Sequence, residues 1–331
     1  MAKRVTGADD RARSRRGSSG GAPERPTQLS GGSWWAAVKR TVREFQVDNL
    51  KDWAAALTYY GVLSIFPALL VLISLIDLAG QATIGTLLDN LGRVAPGSVD
   101  QILGTAIKNL RQTHGSAGVV AVVGLAAALW SASSYIAAFM RASNAIYDVP
   151  EGRPVWKTLP IRIAVTVVVM VLLAASAVMV VVTGGLADRI GQLLGIGSAA
   201  VTAWDILKWP VLLVVVSFMF ALLYWASPNA RQGFRWVTPG GILAVVLWVV
   251  ASAAFAVYVA NFGSYNKTYG SLASVIIFLV WLWLSNIAIL LGAELNAELE
   301  RSRAIEAGHP PDAEPYMELR DTSKIREHDG L

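Results

Sequence analysis

The sequence predicts an all-α membrane protein: a bundle of six transmembrane helices, with an outer amphipathic helical pair between helices 1 and 2. Of its 331 residues, 54% are hydrophobic and 15% are charged, whereas a soluble domain carries about 25% charged residues. Residues 53–78 contain a single charged side chain, that of Asp77. An α-helix of that length covers roughly 39 Å, which exceeds the ~30 Å hydrocarbon core of a bilayer.

The composition also narrows the classes of function. The chain has no cysteine, which excludes disulfides, thiolate metal sites and cysteine nucleophiles. The formal net charge is +5, a balance that in a soluble protein favours a nucleic-acid partner. In a membrane protein the basic residues have a simpler role in setting orientation. We therefore expect the lipid bilayer, and no nucleic acid, as the partner.

The N-terminal region is basic and polar. Residues 1–33 are rich in Arg, Ser, Gly and Pro and almost free of apolar side chains, which is typical of a disordered arm. The run RARSRRGSSGG is either a solvated tail or a contact for anionic lipids, at about 1 kcal/mol per basic residue.

The membrane domain covers residues 34–303. It opens with an apolar helical stripe from Trp34 to Phe45, which predicts an interfacial helix on the membrane surface.

Six apolar runs of helical length predict the membrane crossings. They are about residues 53–78, 115–138, 161–183, 205–226, 240–262 and 271–291. Pro67 interrupts the first run, and because proline lacks an amide hydrogen and crowds the preceding turn, we expect a helix kink there. After the first run, residues 84–94 and 99–110 repeat apolar side chains at helical spacing but are too polar to span. These two segments are the predicted outer amphipathic pair.

The distribution of charge predicts the orientation. Six crossings place both termini on the same side of the membrane, and most of the 28 Lys and Arg residues then lie on that side. This bias predicts a multi-pass protein of the bacterial inner membrane with both termini in the cytoplasm. The polar residues 304–331 are expected to form a disordered cytoplasmic tail.

Several motifs are shared with a known family. They are WAAALTYYGVLSIFPALLVL at 53–72, LWSASSYIAAFMRASNAIYDV at 129–149, YWASPNA at 224–230, and a long stretch at 238–300 that contains YNKTYGSL and GAELNAELE. In these motifs the chain resembles the YihY/BrkB family. The resemblance implies an integral inner-membrane protein with six helices. Proteins of this family were once labelled ribonuclease BN, and the activity that is often suspected for them is transport.

The residues themselves give no support to nuclease chemistry. A nuclease needs clustered carboxylates or histidines to hold metal ions, or a general acid and base. Two of the three histidines, His309 and His328, lie in the tail, and His114 lies in an outer loop. The predicted crossings contain no pair of carboxylates, and the chain lacks an ATP-binding P-loop motif. We therefore predict no catalytic site, no metal site and no cofactor.

Polar side chains within or beside the crossings are the candidate site residues, because burying them in a bilayer is costly. The candidates for a polar path or for helix packing are Asp77, Ser131, Ser134, Asn286, Glu294 and Asn296, and those of an outer turn are Asn261, Tyr265, Asn266 and Tyr269. Each also has a structural interpretation. Asp77 can be an interfacial cap, and the serines can bond back to their own helix. Glu294 and Asn296 can pair with Arg141 or Arg235, and Asn286 can join two helices instead of contacting a substrate.

Two hypotheses of function follow. The intramembrane polar set favours a protein for transport or permeation of a small solute, ion or lipid. The alternative is a non-transporting envelope scaffold that binds partners through its tails and inner loops.

Overall fold

The computed structural model confirms an all-helical protein. It describes residues 23–78, 117–182, 187, 191–192, 197–261, 271–311 and 313–328. Within these residues no β-strand is present, and the single β-bridge joins Ala230 to Leu319. The helices are α1 (Gly31–Val47), α2 (Leu50–Leu78), α3 (Ala117–Ile146), α4 (Val155–Val181), α5 (Ser198–Ala226), α6 (Thr238–Asn261), α7 (Ser271–Glu306) and α8 (Ser323–His328).

Four helices in the described part of the chain are long and apolar enough to cross a membrane. They are Val155–Val180, Ser198–Ala226, Thr238–Val259 and Val275–Glu306, and they correspond to the third to sixth predicted crossings. The helices α2 and α3 contain most of the first two predicted crossings. The predicted amphipathic pair at 84–110 lies outside the described residues.

Two helices begin earlier than the predicted crossings, and both contain a proline. The third crossing was predicted to begin at about residue 161, but α4 begins at Val155, with Pro154 as its extended N-cap residue and Pro160 inside the helix. Similarly, α5 begins at Ser198 and continues through Pro210. Both prolines lie beyond the first turn of their helices, and transmembrane helices tolerate such prolines because neighbouring helices and local adjustments satisfy the freed backbone groups.

The packed core lies at one end of the bundle, around the C-terminal half of α7. This helix contacts α1, α2, α3 and α6, and every residue from 292 to 300 is buried. By contrast, the other half of α7 exposes Val275, Ile276 and Val280. Exposed apolar side chains on a long helix are what a lipid-facing surface requires. The bundle therefore combines an apolar outer surface with a tightly packed end.

Helix α1 docks on α7 by the face that contains Ala37 and Thr41, which are both buried. The ends of its apolar stripe, Trp34 and Phe45, also pack against the core. Trp35, Val38 and Val42 of the stripe are exposed, which leaves only the middle of the stripe available for a membrane surface.

The C-terminal tail differs from the expectation of disorder after residue 303. Helix α7 continues to Glu306, and residues 313–328 pack against the loops that precede α4 and α6. Asn229 explains the packing, because its side chain donates to the carbonyls of Pro150 (3.0 Å) and Asp321 (2.9 Å). Tyr316 is buried as well. A polar composition predicts disorder only when no such partners exist elsewhere in the chain.

Candidate functional site: a buried polar layer on α7

The candidate site is a set of polar side chains buried along the C-terminal half of α7. Its members are Asn286, Glu294, Asn296, Glu298, Glu300 and Ser302, each at most 3% exposed. Charged side chains are almost never fully buried without a partner. The groups around these residues therefore decide what the layer can do.

Asn286 joins three helices at the level where α7 changes from exposed to buried. Tyr135 of α3 donates its hydroxyl proton to Asn286 Oδ1 at 2.8 Å. Asn286 Nδ2 donates to Thr58 Oγ1 of α2 at 3.1 Å, and Thr58 donates in turn to the Ala54 carbonyl. These bonds agree with the helix-joining interpretation of Asn286. Tyr135 and Thr58 were missed because a single Tyr or Thr in an apolar run carries no signal of its partner.

Next to this triad lies an apolar groove between α2 and α7. It has a volume of about 410 Å³ and is lined by Ala55, Thr58, Tyr59, Val62, Leu279, Val280 and Trp283. Thr58 therefore belongs both to the groove wall and to the Asn286 triad. The groove therefore borders the triad at Thr58.

Glu294 faces Asp48, which lies in the turn between α1 and α2. The two carboxyl groups are within hydrogen-bonding reach of each other, and Glu294 Oε2 has no partner among the described groups. Asn49 reverses the chain after Asp48 with φ 52°, a left-handed conformation that asparagine tolerates. Burial, and then the charge of Asp148, raises the pKa of Asp48 to about 7. Because a bond between two carboxyls needs a shared proton, the pair can take up and release a proton near neutral pH.

Glu298 is held by two arginines. Arg40 of α1 forms an ion pair with its carboxylate and donates to Ser302 Oγ at 2.7 Å, and Arg301 lies 3.8 Å away. Because a buried carboxylate needs a paired charge, the contacts of Arg40 attach α1 to α7, whereas Arg301 belongs to the same helix as Glu298. The sequence placed Arg40 off the apolar stripe but gave no indication of this partner.

Asn296 caps the start of α6. Its Oδ1 accepts the Gly240 amide proton at 2.8 Å, and its Nδ2 donates to the Val237 carbonyl at 3.1 Å. The prediction that Glu294 and Asn296 pair with Arg141 or Arg235 is therefore wrong, and both arginines are exposed. The reason is that α6 and α7 approach so closely at Gly240 that the amide satisfies backbone groups instead.

The predicted serines have local roles. Ser134 donates to the Trp130 carbonyl of its own helix at 3.1 Å, and the Ser131 carbonyl accepts from Ser64 at 3.1 Å. Ser133, which is buried, accepts from Arg162 of α4 at 2.9 and 2.6 Å. These bonds agree with helix packing.

The remaining predicted site residues have no described side chain. The backbones of Pro67 and Asp77 belong to α2, and that of Asn261 is the last residue of α6. Tyr265, Asn266 and Tyr269 lie wholly outside the described residues.

Comparison with known proteins establishes the family. The model of the family described as Virulence factor BrkB matches residues 41–316. The chain belongs to this family. This confirms the resemblance seen in the sequence and identifies a membrane protein.

The relatives extend over most of the chain. The ribonuclease-like protein YfkH of Bacillus subtilis is 29% identical over 84% of this chain and 98% of its own length. A UPF0761 membrane protein of Chromohalobacter salexigens is 31% identical over 85% of this chain and 68% of its own. One of Alkalilimnicola ehrlichii is 30% identical over 82% of this chain, which spans only 61% of that relative. No solved structure matches the chain.

Within the described residues, no group of three or more His, Cys, Asp or Glu side chains is arranged to hold a metal ion.

Proposed function

We propose that this BrkB-family protein crosses the bacterial inner membrane six times, with both termini in the cytoplasm, and moves a small solute, an ion or a lipid along α7. The observation that carries the proposal is Glu294, a carboxyl group that is 1% exposed and has an oxygen without a partner among the described groups. An acid buried in this way is costly and is a functional candidate by default. The groove at Thr58 supports lateral access from the membrane.

The transport proposal is tested by flux into proteoliposomes. The full chain is compared with Asn286→Ala and Glu294→Gln, singly and together, using a panel of cations, a proton-sensitive dye and a lipid-exchange assay. The matched control is Glu306→Gln, the same substitution at an exposed position of the same helix. We expect loss of flux in the Glu294→Gln and double variants, and retained flux in Asn286→Ala and in the control. Unchanged flux in both folded variants would remove the proposal.

The proposed topology is tested separately. Because the natural chain has no cysteine, each single-cysteine variant reports one position. A cysteine at Glu318 should react with a membrane-impermeant maleimide only from the cytoplasmic side, and one at Lys267 only from outside. Labelling of both from one side would contradict six crossings with cytoplasmic termini.

The second candidate is a non-transporting scaffold of the cell envelope. It is favoured by the Asn286 and Asn296 amides, which have partners within the protein as packing residues do. Removal of residues 313–331 should then abolish the cellular phenotype of the protein, and the full chain should support no flux in proteoliposomes. A phenotype that survives the truncation would contradict the scaffold.

A further inference from the structure

A second region of the molecule combines a cavity with an excess of positive charge. The cavity measures about 580 Å³ and is lined by Trp225, Arg231, Gln232, Gly233, Arg303 and Arg320. Its three guanidinium groups come from three segments: the loop after α5, the end of α7, and the tail. The tail therefore completes the cavity, and a disordered tail would leave it without Arg320.

The acidic partners of these arginines compensate them only in part. Arg231 lies 3.2 Å from Glu318, and the two side chains are 65% and 81% exposed, so their attraction is weak in water. Arg303 donates to buried Glu300 at 3.1 Å. Within the described residues, two carboxylates face these three guanidinium groups, and Arg320 donates to backbone carbonyls only. This part of the chain therefore carries a positive surplus.

Arg320 is held in a fixed position in this cavity. It donates to the Ala230 carbonyl at 2.7 Å and to the Trp225 carbonyl, and its guanidinium lies 5.1 Å from the centre of the Trp225 ring. Burial, and then the charge of Arg153, lowers the pKa of Arg320. A bound anion would offset both effects.

An exposed aromatic strip begins at the edge of the cavity. Trp225 lies 6.3 Å from Phe234, and Phe234 lies 6.1 Å from Phe218, measured between ring centres. The three side chains are between 39% and 46% exposed. Aromatic side chains of this kind mark the headgroup level of a membrane. Because Trp225 belongs to both features, a polar cavity and an apolar surface are continuous.

We propose that this cavity binds a phosphate-bearing anion, and that its source is the headgroup of an anionic membrane lipid whose acyl chain lies on the aromatic strip. Arginine forks match phosphate oxygens in geometry as well as in charge. The proposal is independent of transport along α7. It also concerns a different part of the chain from the basic arm at residues 1–33.

The test is native mass spectrometry of the full chain in detergent, with phosphatidylglycerol, phosphatidylcholine or inorganic phosphate added. The deciding variant is Arg231→Gln, because this exposed side chain contributes little to folding. Arg303→Gln provides a second measurement. The matched control is Arg235→Gln, an exposed arginine of the same loop that does not line the cavity.

We expect each cavity variant to bind phosphatidylglycerol about fivefold more weakly, as the loss of one basic contact predicts, and the control to bind as the natural chain does. Phosphatidylcholine binding should not change, and millimolar phosphate should displace the anionic lipid. Equal binding by all variants, or equal loss in the control, would overturn the site. Phosphate binding without phosphatidylglycerol binding would overturn the lipid source.

Discussion

The Asn286 triad allows a double-mutant cycle whose size can be worked out from the structure. Asn286→Ala removes the bond from Tyr135 and the bond to Thr58, at 2.8 and 3.1 Å. Hydrogen bonds between helices in a membrane contribute about 0.6 kcal/mol on average and up to about 1.7. We therefore expect Asn286→Ala to lower the free energy of unfolding by about 1–3 kcal/mol. Tyr135→Phe removes one bond and should cost about 1 kcal/mol.

The assay is equilibrium unfolding in mixed micelles, followed by far-ultraviolet circular dichroism. In the double variant the Tyr135–Asn286 bond is lost only once, so the double cost should fall short of the sum by about 0.6–1 kcal/mol. The control cycle combines Asn286→Ala with Tyr147→Phe, because the Tyr147 hydroxyl bonds to Gln232 at 2.8 Å. That cycle should be additive within about 0.5 kcal/mol. An additive Tyr135 cycle would show that the bond does not join the helices.

Three further changes have definite expected outcomes. Gly240→Ala would place its Cβ well under 3.0 Å from the Gly292 carbonyl oxygen, so forcing α6 from α7 should cost about 3 kcal/mol in the same unfolding assay. In Gly152→Ala the added Cβ would likewise clash with the Asp321 carbonyl oxygen, so the tail should be released. Limited proteolysis should then cleave the tail at least tenfold faster. The natural chain should lose stability as pH rises from about 4 to about 7, because of Asp48. Asp48→Asn should flatten this pH dependence.

The sign of the Asp48 effect follows from proton linkage. Burial raises its pKa from 3.8 to about 7, so between these values the folded protein holds a proton that the unfolded chain has lost, and stability falls with rising pH. Because Asp48 is partly exposed, we expect a gain of only about 1 kcal/mol for Asp48→Asn at pH 8. A parallel pH profile in the variant would contradict this assignment.

The glycine predictions share a control. Gly31→Ala places a Cβ where no atom lies within 4 Å, so both stability and proteolysis should match those of the natural chain. If Gly240→Ala or Gly152→Ala behaved like this control, the close approaches at these glycines would not exist in the folded protein.

The hydropathy profile predicted the membrane helices because it depends only on the side chains within each segment and not on how the segments pack. The crossings expected at 240–262 and 271–291 correspond to Thr238–Asn261 and to most of Ser271–Glu306. The extension of α7 to Glu306 was missed because residues 292–306 are too polar for a crossing. They are helical and buried because other segments supply their partners.

The site itself could not be predicted in detail because its partners are far apart in the sequence. Tyr135 and Asn286 are separated by 151 residues, and Arg40 and Glu298 by 258. A polar residue in the sequence shows that a partner is needed. Which residue satisfies that need depends on how the helices pack, so the sequence marked Asn286 as needing a partner without naming Tyr135 or Thr58, and assigned Glu294 the wrong partner.

The positions of the polar groups on α7 separate packing from function. Asn286 and Asn296 lie roughly 15 Å apart along the helix, and both amides are bonded to neighbouring segments. Between them lies Glu294, with one oxygen lacking a partner among the described groups. We therefore expect Asn286→Ala to lower stability before it affects flux, and Glu294→Gln to reduce flux at unchanged stability. Measuring unfolding and flux on the same preparations checks this. Parallel losses of both in the Glu294 variant would assign that carboxyl group to packing alone.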